Sequence, residues 1–255
     1  MNETRYPSPY DDPEFYDLLF EALDFDLPFW LETARTAPGP VLETACGTGR
    51  ILLRIRGEGV DADGFDSNPA MIGRLRKKAL EAGMAVRAEI ADMRNFSMGR
   101  NYARIFCAFN GFAHMETTED QIRALSCLRE HLLPGGAFVL HMSYPGPAYW
   151  LEPEGEPVLE QEIKRPGGGT IQLWDNRTKD AVSQRQKSVV EIREMNASGR
   201  RMAVRCYSTS QRWVYRFELE LLFRAAGFSS WEIYGGFDRR PLKSADDQMI
   251  AWAYI

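Results

Sequence analysis

One short stretch, residues 41–50, restricts the fold of this chain more than any other. Its sequence, VLETACGTGR, begins apolar, passes through a turn of small residues and leads into the amphipathic segment 51–55. That order predicts a buried strand, a tight turn and the start of a helix. Ala45, Gly47 and Gly49 add little or no side chain to the turn, so its backbone N–H groups can approach a ligand closely.

Glu43 favours a ligand site over a turn that is only structural. It stands at the end of the apolar strand, where a buried carboxylate is costly unless it meets a donor or a cation. An amine or sulfonium ligand would supply that cation. The structural alternative is a glutamate that caps the loop or pairs with an arginine.

The composition of the whole chain narrows the functional classes. Its 255 residues are 44% hydrophobic, enough for one α/β domain with an insertion. The net charge is −5 and no basic block is visible, so nucleic acid is not an expected partner. The cysteines form no CxxC pair and the histidines have no metal-ligand spacing, so no metal is expected. No signal peptide or long apolar run is visible, so we expect a cytoplasmic protein without a membrane span.

Strands and helices alternate along the first half of the chain. After the strand that opens segment 41–50, runs with strand character recur, with helical periodicity between them. This alternation predicts a doubly wound, mostly parallel sheet. The further strands predicted for it are 59–66, 84–92, 104–110 and 137–142.

The second half of the chain has a different pattern. Residues 151–214 alternate polar and apolar side chains between turn sequences, which predicts an inserted antiparallel β meander. Helical periodicity returns at 217–226, and segments 230–236 and 247–254 predict a terminal antiparallel hairpin at the sheet edge. The meander covers the active site, pairs with a second subunit, or only protects the sheet; the pattern leaves these three open.

Two acidic residues follow the second and third predicted strands. Asp66 lies 17 residues after Gly49, close to the offset of about 20 residues at which a carboxylate accepts the ribose hydroxyls of a bound nucleoside. Ser67 or Asn68 is expected to cap the next helix. Asp92 should reach the same sheet edge and accept an adenine amine, with Met71 and Met93 against the two faces of the ring.

These motifs, ETACGTGR, GFDSNPAM and ADM in this order, resemble the class I S-adenosylmethionine-dependent methyltransferases over nearly the whole chain. The resemblance implies a Rossmann-like, seven-stranded sheet and S-adenosyl-L-methionine as the cofactor, with S-adenosyl-L-homocysteine as its product. The insertion is similar to that of small-molecule N-methyltransferases acting on amino sugars or on glycine and sarcosine. N-methylation of a small molecule is therefore expected, with O-methylation or a non-catalytic S-adenosylmethionine-binding protein as the alternatives.

The resemblance and the chemistry also predict site residues. Tyr16 and Trp30 would close over the cofactor from the N-terminal arm. The segment 109–115 resembles the stretch in which a histidine faces the acceptor amine, so His114 is the predicted catalytic base; a structural histidine is the alternative, and His141 is a second candidate. The full set predicted to bind the cofactor is Tyr16, Trp30, Glu43, Ala45, Cys46, Gly47, Asp66, Ser67, Met71, Asp92, Met93 and Phe109.

These expectations divide the chain into four parts. Residues 1–40 form an arm with helices over the cofactor site, and residues 41–147 form the cofactor-binding core. Residues 148–214 form the β insertion, which would cover the substrate or contribute to a homodimer. Residues 215–255 complete the core with a helix and strands.

Overall fold

The computed structural model describes residues 6–255, so the first five residues of the predicted arm lie outside the described residues. The helices are α1 (Pro13–Phe20), α2 (Leu27–Arg35), α3 (Leu52–Gly57), α4 (Pro69–Glu81), α5 (Thr118–Glu130), α6 (Pro147–Leu151) and α7 (Arg216–Ala225). The strands are β1 (Val41–Thr44), β2 (Ala62–Asp66), β3 (Arg87–Ile90), β4 (Tyr102–Cys107), β5 (Leu132–Ser143), β6 (Val158–Lys164), β7 (Thr170–Asp180), β8 (Arg185–Met195), β9 (Arg201–Arg212), β10 (Ser230–Tyr234) and β11 (Gln248–Tyr254).

The larger sheet has seven strands in the order β10-β11-β5-β4-β1-β2-β3. Its strands run parallel except β11, which is antiparallel to both of its neighbours. The predicted fold class is thereby confirmed. The strand order reverses between β1 and β4, and in open α/β sheets ligands bind at the carboxyl ends of the strands beside such a reversal.

Helices cover both faces of this sheet because its strands are apolar on both sides. Leu42 of β1 belongs to a buried cluster that includes side chains of α5 and α7. Its neighbour Val41 belongs to a second cluster with side chains of α2, α3 and α4. Both side chains are fully buried, so β1 lies at the centre of the molecule and its carboxyl end is held rigidly.

The second sheet is the predicted antiparallel meander, in the order β6-β7-β8-β9. Phe15 and Leu19 of α1 form a buried cluster with Ile192 of β8 and Tyr207 of β9. The backbone N–H of Ser208 donates to the carbonyl of Pro7 at 2.9 Å. The N-terminal arm is therefore attached to the inserted sheet.

Two local boundaries are set by contacts that the sequence pattern left open. Of the two expected caps, Asn68 is the one that caps helix α4: its side chain accepts from the N–H groups of Ala70 and Met71. Helix α5 ends at Glu130, and β5 begins at Leu132, five residues before the predicted start at 137. The chain joins the larger sheet already at His131, whose carbonyl accepts from the N–H of Tyr102 at 2.9 Å.

Within residues 6–255, no helix is long and apolar enough to cross a lipid bilayer.

Candidate cofactor and acceptor site

A cavity of about 610 Å³ lies at the carboxyl ends of the central strands of the larger sheet. The loops that follow β1, β2, β3 and β4 form one side of it. The N-terminal arm, α1 and three strands of the inserted sheet form the other side. The volume falls within the range of about 300–1,000 Å³ that is usual for small-molecule sites.

The turn after β1 forms the floor of this cavity. Ala45 and Gly47 line it, with φ angles of 51° and 53°. A Cβ atom on Gly47 would meet no other atom within 4 Å, so this glycine faces open space. At Gly49, whose φ is 86°, a Cβ atom would lie only 2.8 Å from Cγ of Leu75, so this glycine is required for packing against α4. The two glycines therefore have different roles.

Asp66 lines the cavity at the end of β2. One carboxylate oxygen accepts from the N–H of Gly47 and the other from the N–H of Asn68, each at 2.9 Å. Burial raises the pKa of Asp66, while hydrogen bonds from the backbone of Asn68, Gly47 and Ser67 act in the opposite direction. Each oxygen keeps a further lone pair, so the pair of oxygens can accept from two ligand hydroxyls.

Glu43 is 3% exposed and does not line the cavity. Its Oε2 has no hydrogen-bond partner. Burial raises the pKa of Glu43 well above its ordinary value, although the positive charge of Arg50 opposes the shift. Arg50 itself forms a two-pronged ion pair with Asp26, at 2.6 and 2.8 Å. Glu43 is thus a buried acid that lacks a full partner among the described residues, as expected of a group awaiting a cationic ligand.

Three other predicted cofactor residues lie outside the cavity wall. Trp30 is fully buried, stacks on Phe106 and donates from Nε1 to Asp26 at 3.1 Å. Cys46 is buried in the turn after β1. Asp92 forms an ion pair with Arg94 at 2.6 Å, and this contact lowers the pKa of Asp92. The predicted cofactor residues that do line the cavity are Tyr16, Ala45, Gly47, Asp66, Ser67, Met71, Met93 and Phe109.

His114 lines the cavity beside the inserted sheet. Its Nε2 is hydrogen-bonded to the hydroxyl of Tyr10 at 2.8 Å and lies 3.5 Å from Nε2 of Gln211. Burial lowers the pKa of His114, and a hydrogen bond with the backbone of Ser210 opposes the shift. Burial also raises the pKa of Tyr10 to about 12. A neutral imidazole and a neutral phenol therefore meet in the cavity at neutral pH.

Aromatic rings from the arm, from α1 and from the loop after β4 form a continuous wall of the cavity. The ring centroids of Tyr10 and Tyr16 are 5.9 Å apart, those of Tyr16 and Phe20 4.8 Å, and those of Phe20 and Phe109 5.6 Å. We call these four residues the aromatic wall. Aromatic faces attract cations, so the wall suits a sulfonium or an ammonium group.

The loop after β4 is held in an uncommon conformation. Phe109 and Asn110 have φ angles of 50° and 62°. The N–H of Phe109 donates to Nδ1 of His141 at 3.2 Å, and Nε2 of His141 bonds Oε1 of Gln248 at 2.8 Å. Asn110 accepts from the N–H of Ser143 at 2.6 Å. His141, the second candidate base, is 2% exposed and holds this loop in place rather than lining the cavity.

Sequence reasoning missed several residues of the cavity wall. Tyr10 lies in a proline-rich arm without periodicity. Thr209 and Gln211 alternate along β9, a signal that shows which residues share a face but not which face meets the site. The further residues that the structure adds to the wall include Ser8, Tyr10, Phe20, Asn68, Asn110, Thr209 and Gln211.

Comparisons with known proteins agree with this geometry. Residues 41–136 match the family described as "Methyltransferase domain". A dTDP-3-amino-3,4,6-trideoxy-alpha-D-glucopyranose N,N-dimethyltransferase from Streptomyces venezuelae is 25% identical over 202 residues, which is 79% of this chain and 80% of that protein. The CcbJ methyltransferase from Streptomyces caelestis has a TM-score of 0.76 at 23% identity, covering 96% of this chain and 97% of that one. CalS10 from Micromonospora echinaspora, an amino pentose methyltransferase solved with S-adenosylmethionine bound, has a TM-score of 0.70 at 20% identity, covering 100% and 99%.

The match over residues 41–136 spans the turn after β1, Asp66 and Asp92. The chain is an S-adenosylmethionine-dependent methyltransferase that is similar in motifs and fold to the class I family. The predicted family and cofactor are thereby confirmed.

The cavity of this methyltransferase fits its cofactor residue by residue. Gly47 offers open space beside a backbone turn, and Asp66 offers two acceptor oxygens for a ribose. The buried Oε2 of Glu43 also lacks a partner, but Glu43 does not line the cavity, so its contact with the ammonium of the methionine part stays a prediction. Met71 and Met93 are buried apolar side chains on the wall, suited to an adenine ring. These individual roles remain predictions, and that of Asp92 would require its contact with Arg94 to be shared with the adenine.

Proposed function

We propose that this methyltransferase methylates the amine nitrogen of a small-molecule acceptor and that the amine is carried on a sugar. Two kinds of finding support the proposal. The relatives with the broadest sequence coverage are named as N,N-dimethyltransferases of amino sugars. The cavity also combines a cation-binding aromatic wall with a histidine that burial keeps neutral.

The observation that carries the proposal is the contact between Tyr10 and His114. When bound, S-adenosylmethionine would supply a methyl group on a positively charged sulfur. The amine nitrogen would form the new N–C bond, and the C–S bonding pair would remain on sulfur. The aromatic wall and the loop after β4 would hold the amine in line with that bond, because alignment and contact at about 3–3.5 Å are the main requirements of such a displacement.

The amine must also lose a proton. Tyr10 accepts it on its hydroxyl oxygen while its own proton passes to Nε2 of His114, over the observed 2.8 Å contact. His114 is suited to receive it because burial lowers its pKa and keeps the imidazole neutral. General base catalysis of this kind contributes about 10²- to 10⁴-fold where proton removal limits the rate.

The test is methyl transfer to two forms of one amino sugar. The purified protein is incubated with S-adenosylmethionine and either dTDP-3-amino-3,6-dideoxy-glucopyranose or the octyl glycoside of the same sugar. Release of S-adenosylhomocysteine and a mass gain on nitrogen with at least one form would support the proposal. Methylation of oxygen only, or cofactor binding without turnover of either form, would refute it.

His114→Gln is the matched site variant and His131→Gln its control. His131 lies outside this cavity and bonds the carbonyl of Cys127 at 2.8 Å. We expect His114→Gln to lower kcat by about 10²- to 10⁴-fold and His131→Gln to leave it near the wild-type value. Equal losses in the two variants would remove the basis for the assigned role.

A further inference from the structure

The surface that the inserted sheet presents to the cavity changes from polar to apolar across its strands. Tyr207, Thr209 and Gln211 occupy every second position of β9 and line the wall. Gln211 is the member of this row that approaches His114. The polar end of the row is therefore next to the proposed base.

Apolar side chains follow on the next two strands. Val190 stands opposite Tyr207 in the register of β8 and β9, and Leu173 stands opposite Ile192 in that of β7 and β8. All of them line the cavity. We call Leu173 and Val190, which are partly buried, the apolar patch; Ile192 is only 1% exposed because it packs with Phe15 and Leu19 of α1. An acceptor whose amine is near His114 would lay the rest of its body on this patch.

The charges around the cavity favour cations. Among the described residues that line it, Asp66 is the only acid and no arginine or lysine is present. The arginines close to the wall face carboxylates: Arg185 pairs with Glu116, and Arg205 pairs with Asp12 at 3.2 Å. Arg50, whose guanidinium lies 5.4 Å from the ring centre of Phe109, pairs with Asp26 at 2.6 Å. Their positive charges are thus already matched by acids of the same chain.

A phosphate would be poorly accommodated in this environment. In a nucleotide-linked sugar the first phosphate is attached to the ring that also carries the amine, so it lies no further from the amine than the ring and one bridging oxygen. It would then enter the region of the apolar patch, where the described lining contains no lysine or arginine. An anion removed from water without a cation partner loses hydration that nothing replaces.

We propose that the acceptor of this methyltransferase is a sugar amine joined to an apolar group rather than to a nucleoside diphosphate. The inference rests on the proposed N-methylation and specifies its substrate class. It predicts that methylation follows transfer of the sugar from its nucleotide to an apolar aglycone. Its physical basis is the combination of the aromatic wall, the apolar patch and the paired arginines.

The dTDP-linked sugar and the octyl glycoside also distinguish the two substrate classes, through the ratio of their kcat/KM values. We expect kcat/KM for octyl 3-amino-3,6-dideoxy-glucopyranoside to exceed that for the dTDP-linked sugar by on the order of 100-fold. Thymidine diphosphate should not compete with the octyl glycoside in the turnover assay. Equal or better turnover of the dTDP-linked sugar, or competition by thymidine diphosphate, would overturn the inference while leaving N-methylation in place. If neither sugar is methylated, the proposed function fails and this inference fails with it.

A pair of lysine variants tests the apolar patch itself. Leu173→Lys places a cation on the patch, and Val182→Lys places one on the β7–β8 turn, where Val182 is 95% exposed. We expect Leu173→Lys to lower kcat/KM for the octyl glycoside by about 10-fold or more and to raise it for the dTDP-linked sugar. Val182→Lys should change neither. An unchanged melting shift with S-adenosylhomocysteine would show that each variant is folded and retains its cofactor site; an unchanged probe ratio in a folded Leu173→Lys would contradict the role of the patch.

Discussion

Replacement of Asp66 is the most direct test of how the cofactor is held. Both carboxylate oxygens already accept one backbone N–H each, from Gly47 and Asn68, and their remaining lone pairs face the cavity. Two ribose hydroxyls would add two hydrogen bonds to a charged acceptor, each worth about 1.5–3 kcal/mol. Asp66→Ala should therefore weaken binding of S-adenosylhomocysteine by about 100-fold or more. Asp66→Asn, which keeps one acceptor oxygen, should lose about 10-fold.

The assay is isothermal titration of each variant with S-adenosylhomocysteine, with urea unfolding of the free protein alongside. Asp61→Ala is the control, because Asp61 precedes the same strand, is largely exposed and pairs with Arg100 at 2.8 Å. Such a surface pair is worth only about 0–1 kcal/mol, so the affinity of the control should equal that of the wild type. A folded Asp66→Ala protein with wild-type affinity would show that the ribose is held elsewhere.

Three further predictions follow from the same contacts. Because burial lowers the pKa of His114 below its ordinary 6.5, protonation of His114 should lower kcat only below that pH, and His114→Gln should lose this acid limb; an acid limb that persists unchanged in the variant would contradict the assignment. Trp30→Phe removes the bond to Asp26 and should cost about 1–3 kcal/mol in urea unfolding, with an unchanged affinity for S-adenosylhomocysteine, since Trp30 does not line the cavity. His141→Leu leaves the N–H of Phe109 without its acceptor and should cost about 1–3 kcal/mol of stability; unfolding at the wild-type urea concentration would refute it.

The fold could be predicted from sequence because its signals are local and repeated. Strands β1, β4 and β5 of the larger sheet are largely apolar runs followed by turns, and the carboxyl ends of parallel strands must meet at one edge. That rule alone places Asp66 at the carboxyl edge. The ends of the elements were less predictable, since they depend on contacts across the chain: β5 begins at Leu132 because Tyr102 bonds the residue before it.

The cofactor half of the site was accessible to the same reasoning, but burial changed several roles. Glu43 and Trp30 are buried and do not line the cavity. A sequence motif shows which residue is present, but not how deeply its side chain is buried. The ion pair between Arg94 and Asp92 was not predicted. The sequence shows that the two charges are two residues apart, but not that their side chains meet. Of the aromatic wall, Tyr16 and Phe109 were predicted as site residues, whereas Tyr10 and Phe20 were not.

The acceptor half escapes sequence reasoning for a physical reason. Its parts come from segments that only the three-dimensional fold brings together: the hydroxyl of Tyr207 donates to Asp12 at 2.8 Å, and the amide of Asn68 donates to Asp11 at 2.9 Å. The arm is thus fastened to the inserted sheet on one side and to the cofactor loop on the other. His114, from the core, obtains its partner Tyr10 only through these attachments. Changes in the arm or the insertion can therefore alter which acceptor binds without altering the turn that binds the cofactor. The core motifs thus predict methyl transfer, whereas the acceptor can be predicted only from the assembled cavity.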